Sequence, residues 1–225
     1  MSTTSGLAGR PPSRLWVVAP GAEPREDDAG LVAAVRARIP GAAERLWDRY
    51  SILVRRILRR VLGPGGDVED GVQEAFLRLF RDLDALRDPR ALRSYLIGIA
   101  LHVAKSELRR RQAKRWLLLS DDGALDEIGG AFDPQQFEAR AALVRLYRVL
   151  DRVGHERRVA FVLRYIEGLE LAELSVVLRC SLATTKRRVA DAARRVFLLA
   201  AADPLLAPYL EEVRGPADPS TGRRP

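Results

Sequence analysis

Cysteine is almost missing. Cys180 is the single thiol in 225 residues, which excludes an internal disulfide framework and any multi-cysteine zinc site. The two histidines, His102 and His155, lack cysteine or carboxylate partners at ligand spacing, so no metal site is expected. Apolar runs such as 196–202 fall far short of the roughly 20 residues of a spanning helix. Near the N-terminus, Leu15 to Ala19 is too short for a secretory core and is stopped by Pro20. A soluble, cytoplasmic protein without direct membrane insertion is the expectation. Phosphate-binding loops, nucleotide-binding glycine patterns and nucleophile–base motifs are also missing, so the sequence predicts no enzyme and no cofactor. Lysine is scarce too: Lys105, Lys114 and Lys186 are the only three, and arginine supplies the rest of the 38 basic residues.

What is present is positive charge on a helical chain. The formal net charge is +8, which points to a polyanionic partner. Hydrophobic residues make up 47%, enough for a packed core. Apolar residues recur at three and four rather than two, so the fold class is all-α. Residues 1–26 and 204–225, rich in Pro, Gly and small polar residues, read as flexible tails.

Between them, a helix from Asp27 breaks at Pro40-Gly41, and a second from Ala42 stops at Gly63. A third carries Val68, Val72, Ala75, Phe76, Leu79 and Leu83 on one stripe, with Asp67 as a natural cap. Asp88-Pro89 opens a fourth, which runs into a basic segment from Lys105 to Arg115. Residues 116–137 then hold five carboxylates, three glycines and no base, the composition of a flexible acidic linker. The chain thus divides into small helical domains at 27–115 and 138–203. The second contains helices around Leu143–Leu150, from His155 to Ile166, and from Leu171 to Leu178. A last helix starts at Leu182, and the tight turn before it makes a helix-turn-helix.

Three features carry function. The last helix exposes Thr184, Lys186, Arg187 and Arg188 near its N-terminal end, the part that meets base edges in a major groove. The stretch DVEDGVQEAFLRLF sets Asp70, Gln73 and Glu74 on a polar face, an acidic spot on a basic protein that suits a basic protein partner. The stretch SYLIGIALHVAKSELRRR combines an aromatic with a basic end, which suits stacked single-stranded bases and neutralised phosphates. Cys180, in the turn, reads as a small buried hydrophobe.

These motifs, in this order, resemble a bacterial RNA polymerase sigma factor of the extracytoplasmic-function (ECF) group, with only the second and fourth sigma domains. The resemblance spans roughly residues 27–200. It implies that Asp70, Gln73 and Glu74 bind core polymerase. It implies that the helix bearing Tyr95, His102, Lys105, Arg109, Arg110 and Arg111 melts and captures the minus-ten element. Thr184, Lys186, Arg187 and Arg188 would read the minus-thirty-five element, with the acidic linker threading the polymerase channel. Promoter DNA, core RNA polymerase and an anti-sigma factor are the implied partners. The chain departs from the family pattern at several positions. Tyr95 stands where tryptophan is usual, Leu101-His102 where Arg-Asn is usual, Ser106 where aspartate is common, and Arg179 in place of the turn glycine. A stand-alone helix-turn-helix regulator that ignores polymerase is the alternative.

Overall fold

The computed structural model describes residues 27–118 and 134–209; side chains are described outside 115–118 and 134–137. Residues 119–133 of the expected 116–137 linker, the whole expected tail 1–26 and residues 210–225 of the expected tail 204–225 lie outside the described residues.

The first half is built on three long helices, α2 (Ala42–Leu62), α3 (Val68–Asp82) and α4 (Leu92–Leu118), with the short α1 (Asp28–Arg36) laid across α2. The expected stripe of α3 is its buried face: Val72, Ala75, Phe76, Leu79 and, just past its end, Leu83 are all buried. They meet Leu46, Val54, Ile57 and Leu58 of α2 and Leu96, Ala100 and Ala104 of α4. Each such large side chain contributes roughly 1.5–3 kcal/mol through burial. Trp47 packs at a tilt against Phe76 with ring centroids 4.5 Å apart.

Local chemistry fixes the helix ends. Asp67 caps α3, its carboxylate accepting from the Asp70 amide at 3.2 Å. Arg36 donates to the Leu83 and Leu86 carbonyls, at 2.9 and 2.6 Å, and pins the turn between α3 and α4. The Tyr50 hydroxyl donates to Asp28 at 2.7 Å, which ties α1 down. Asp88 caps a 3-10 turn at Pro89–Ala91, and α4 proper begins after it.

The second half comprises α5 (Pro134–Arg152), α6 (His155–Phe161), α7 (Leu171–Val177) and α8 (Leu182–Ala200). Val159, Leu163, Leu174, Val189, Ala192 and Val196 form its centre. Phe161, Tyr165 and Phe197 cluster at centroid distances of 5.0 to 6.4 Å. Beyond α6 the chain makes a π-helical turn, Val162–Ile166. The segment after Asp203 was expected to be tail, yet Leu206 is buried and Tyr209 packs against the core. Among the described residues there is no strand.

The two halves are joined at the end of α2. A helix C-terminus leaves carbonyls without intrahelical partners, and here the second half supplies them. The Tyr147 hydroxyl donates to the Arg60 carbonyl at 3.0 Å. Arg158, only 2% exposed, donates to the Val61 and Leu62 carbonyls at 2.6 and 2.8 Å and pairs with Asp151. Gly63, at φ +71°, ends α2 against the Tyr147 ring, where a Cβ would collide with the aromatic carbons. The Glu167 side chain, 1% exposed, pairs with Arg56 at 3.1 Å and Arg60 at 2.8 Å.

Candidate polymerase and nucleic-acid interface

The outward edge of α3 carries Asp70, Gln73 and Glu74, of which Asp70 and Gln73 are exposed. Glu74 accepts from Arg78, one turn on, at 2.6 Å. Neighbouring Glu69 is gripped by both Arg55 nitrogens at 2.8 and 2.9 Å, and that hydrogen bond holds its carboxyl below the usual range. Leu77 and Phe80 continue the same edge, at 66% and 37% exposure. Sequence reasoning passed over these two. The available signal was that both are large and apolar yet sit off the buried stripe. The edge as a whole is acidic at one end and apolar at the other, which suits a protein partner rather than DNA.

On α4, Tyr95, His102 and Lys105 line one cleft with Arg78 and Arg81 of α3. Tyr95 is half-buried, its hydroxyl 3.4 Å from the Asp82 carbonyl, while His102 is exposed. Leu101 and His102 both line the cleft, but Leu101 is buried at 3% exposure and His102 is the exposed one of the pair. Arg109 and Arg110 are exposed further along the helix, with Arg110 bonded to Glu107 at 2.8 Å. Arg111 is placed apart. It is half-buried, bonded to Glu107 at 2.9 Å, and 3.5 Å from the Leu62 carbonyl at the end of α2. The Arg110 and Arg111 hydrogen bonds hold the Glu107 carboxyl low. Arg78 and Arg81 were not singled out in the sequence, because they belong to a different helix and only the fold brings them beside Tyr95.

In the helix-turn-helix, Arg179 occupies the turn at φ +50°, a left-handed conformation more natural to glycine. Ser181 caps α8: its hydroxyl accepts from the Thr184 amide at 3.2 Å and donates to the Thr184 hydroxyl at 2.9 Å. Thr184 is thereby half-buried and engaged at the cap, whereas Lys186, Arg187 and Arg188 are exposed. Thr185, fully buried, returns its hydroxyl to the Ser181 carbonyl at 3.0 Å and locks the helix start. Cys180 differs from expectation in being only half-buried, its Sγ 3.2 Å from the Thr185 hydroxyl. Among the described residues no cluster of His, Cys, Asp and Glu could hold a metal ion, and no helix is long and apolar enough to cross a membrane.

A helical half with an exposed acidic and apolar edge and a basic aromatic helix, followed by a helix-turn-helix half, has the make-up of a transcription factor. Comparison with known proteins narrows the class. Residues 46–114 match sigma-70 region 2, and residues 143–200 match sigma-70 region 4. The ECF RNA polymerase sigma-E factor of Escherichia coli is 30% identical over 174 residues, covering 72% of this chain and 88% of that protein. The RNA polymerase sigma-H factor of Pseudomonas aeruginosa is 26% identical over 195 residues, covering 84% of this chain and 98% of that one. A solved structure of CnrH in complex with the cytosolic domain of CnrY superposes with a TM-score of 0.58 at 24% identity, over 79% of this chain and 99% of that one. The chain belongs to the ECF group of RNA polymerase sigma factors. Its function is transcription initiation, through core polymerase and promoter DNA.

Proposed function

We propose that the work is divided as follows. Asp70, Gln73 and Glu74 dock on core polymerase, with Leu77 and Phe80 extending the contact. Tyr95, His102, Lys105, Arg109 and Arg110 hold the opened minus-ten strand, by stacking on the aromatic and by neutralising phosphates. Arg111 supports the end of α2 in the described conformation and reaches the strand only by leaving it. Lys186, Arg187 and Arg188 enter the major groove at the minus-thirty-five element, with Thr184 at the helix tip. No residue here makes or breaks a bond; nucleotide addition belongs to the polymerase. The protein acts in the cytoplasm, where the polymerase is. It is held in check by an anti-sigma protein, in the way that the CnrH structure has CnrY as its partner.

The observation that carries this reading is the exposure of Lys186, Arg187 and Arg188 on a capped helix whose opposite face is buried through Thr185, Val189 and Ala192. The test is transcription from a genomic promoter library by purified core polymerase, with and without the protein. New start sites sharing two upstream boxes are expected. Arg187→Ala should relax selectivity at one upstream base by about 1–3 kcal/mol; unchanged selectivity would remove Arg187 from the reading set. DNA binding without any new start site would favour a stand-alone regulator.

A further inference from the structure

The cleft beside Tyr95 has two walls of different origin. α3 and α4 supply one, and the turn of the helix-turn-helix supplies the other, through Val177, Leu178 and Arg179. Ion pairs fix the walls along α4 on either side of Gly98: Glu173 with Arg93, and Glu156 with Lys105 at 2.7 Å. About 450 Å³ lies between them, within the range of pockets for small organic ligands.

The lining is one-sided in charge. Arg78, Arg81, Lys105, Arg179 and Arg188 contribute five cations, against the single carboxylate of Asp82. Arg81 is paired with Asp82 at 2.9 Å, Lys105 with Glu156, and Arg78, through its Nε, with Glu74. Arg179 and Arg188 form no ion pair among the described residues, and Arg188 feels Glu156 only at longer range. A cleft lined by one sign of charge focuses its field and concentrates the opposite ion. Guanidinium groups, moreover, grip phosphate in a two-pronged fork.

The rest of the lining has a different character. Tyr95 adds an aromatic ring, and Ile99, Val177 and Leu178 add aliphatic surface. Gly98 completes it: a Cβ there would have the Val177 carbonyl as its nearest neighbour, 4.0 Å away. The backbone of α4 is thus bare toward the cleft, where a longer side chain would fill the space. Glycine weakens a helix interior, so the open space is what this residue provides in return.

We infer that the cleft binds a nucleoside polyphosphate, with its ring against Tyr95 and the bare backbone at Gly98, and its phosphates on Arg78, Arg179 and Arg188. An inorganic phosphate alone would use the charge and leave the apolar lining unmatched. No amide side chain and no serine or threonine lines the cleft. The base is therefore held by stacking, which every base offers, and not by its hydrogen-bonding edge. The inference stands apart from the promoter assignment, because Gly98 and Arg179 have no part in that reading and the test is built on them.

That test is calorimetric titration of the full chain, without polymerase, using ATP free of divalent metal at about 0.15 M salt. One site is expected, with a Kd of about 0.1 mM or tighter. Tripolyphosphate, which carries the charge without the ring, should bind at least fivefold more weakly. Arg179→Gly removes one cation at a backbone position, φ +50°, that suits glycine, so the fold is kept. It should weaken ATP binding at least fivefold. Gly98→Leu fills the floor of the cleft without changing its charge, and should abolish ATP binding with helical circular dichroism retained. If Gly98→Leu fails to fold, Arg179→Gly decides alone. No binding by the wild type, or unchanged ATP affinity in either folded variant, would overturn the site. Equal affinity for ATP and tripolyphosphate would overturn the nucleotide assignment, since the ring would then contribute nothing.

Discussion

Reversing the charge of Glu74 separates docking from folding. In the structure Glu74 sits in the middle of α3, beyond the first turn, with its side chain 45% exposed and bonded to Arg78. Glu74→Arg loses that pair, worth about 0.3–0.5 kcal/mol on an exposed helix, and sets two cations one turn apart at a similar cost. It gains a new attraction to Asp70, one turn earlier, of the same size. The fold should therefore lose less than about 1 kcal/mol. Docking is a different matter, because a reversed charge at an interface that fits a basic partner costs about 2 kcal/mol or more. That corresponds to roughly a 30-fold loss of affinity for core polymerase. Urea unfolding measures the first quantity, and competition with a labelled sigma factor for core polymerase measures the second. Unchanged polymerase affinity would refute the docking edge. A folding loss above about 2 kcal/mol would refute the claim that Glu74 is structurally dispensable.

Two further outcomes concern the second half. Arg179→Gly should stabilise the chain by up to about 1 kcal/mol, since the left-handed turn costs a side-chain-bearing residue about 1–2 kcal/mol and glycine returns part of that as chain entropy. Thermal unfolding would show it, and a fall in midpoint would mean that the arginine side chain is needed at the turn. His155 is held below its ordinary pKa of 6.5, by burial first and then by the nearby Arg158 and Arg109, with Asp151 and Glu156 opposing. Its folded value lies below its unfolded value, so the unfolded chain takes up the proton first. Stability should fall as pH drops below about 6.5, and His155→Gln should flatten that slope. Glu107 and Glu156, both held low by hydrogen bonds from cations, lose their contribution only below the ordinary carboxylate range near 4.5, a separate window.

The helices were legible because their punctuation is chemical. Pro40-Gly41, the Gly63 stop and the Asp67 cap each bias the backbone directly, and the α3 stripe needed only its period. The helix-turn-helix was legible for the same reason, and Ser181 caps α8 as a residue of its type should. Two helix ends extend into the expected linker. α4 continues to Leu118, and α5 begins at Pro134, where proline suits a first helical turn. The joint was not legible. Arg158 is one arginine in a run of charged residues, and nothing local separates it from Arg157, which is exposed and pairs with Asp191. What buries Arg158 is the carbonyl end of a helix 96 and 97 residues earlier in the chain. Gly98, a glycine inside α4, has its nearest neighbour, the Val177 carbonyl, a full 4.0 Å from where a Cβ would stand. Packing does not require glycine at that position.

The π-helical turn at Val162–Ile166 carries one residue more than an α-helix of the same rise would need. An added residue rotates all that follows by about 100° around the helix axis. Glu167 is the first residue after that turn, and the rotation aims it at Arg56 and Arg60 rather than at solvent. The alignment of the two halves is thus encoded in a residue count as well as in residue identity. A one-residue deletion within this turn would leave every side chain of the acid–base joint in the gene and point the key carboxylate elsewhere. Changes of length at this place would reset the alignment of the two halves more abruptly than any single replacement.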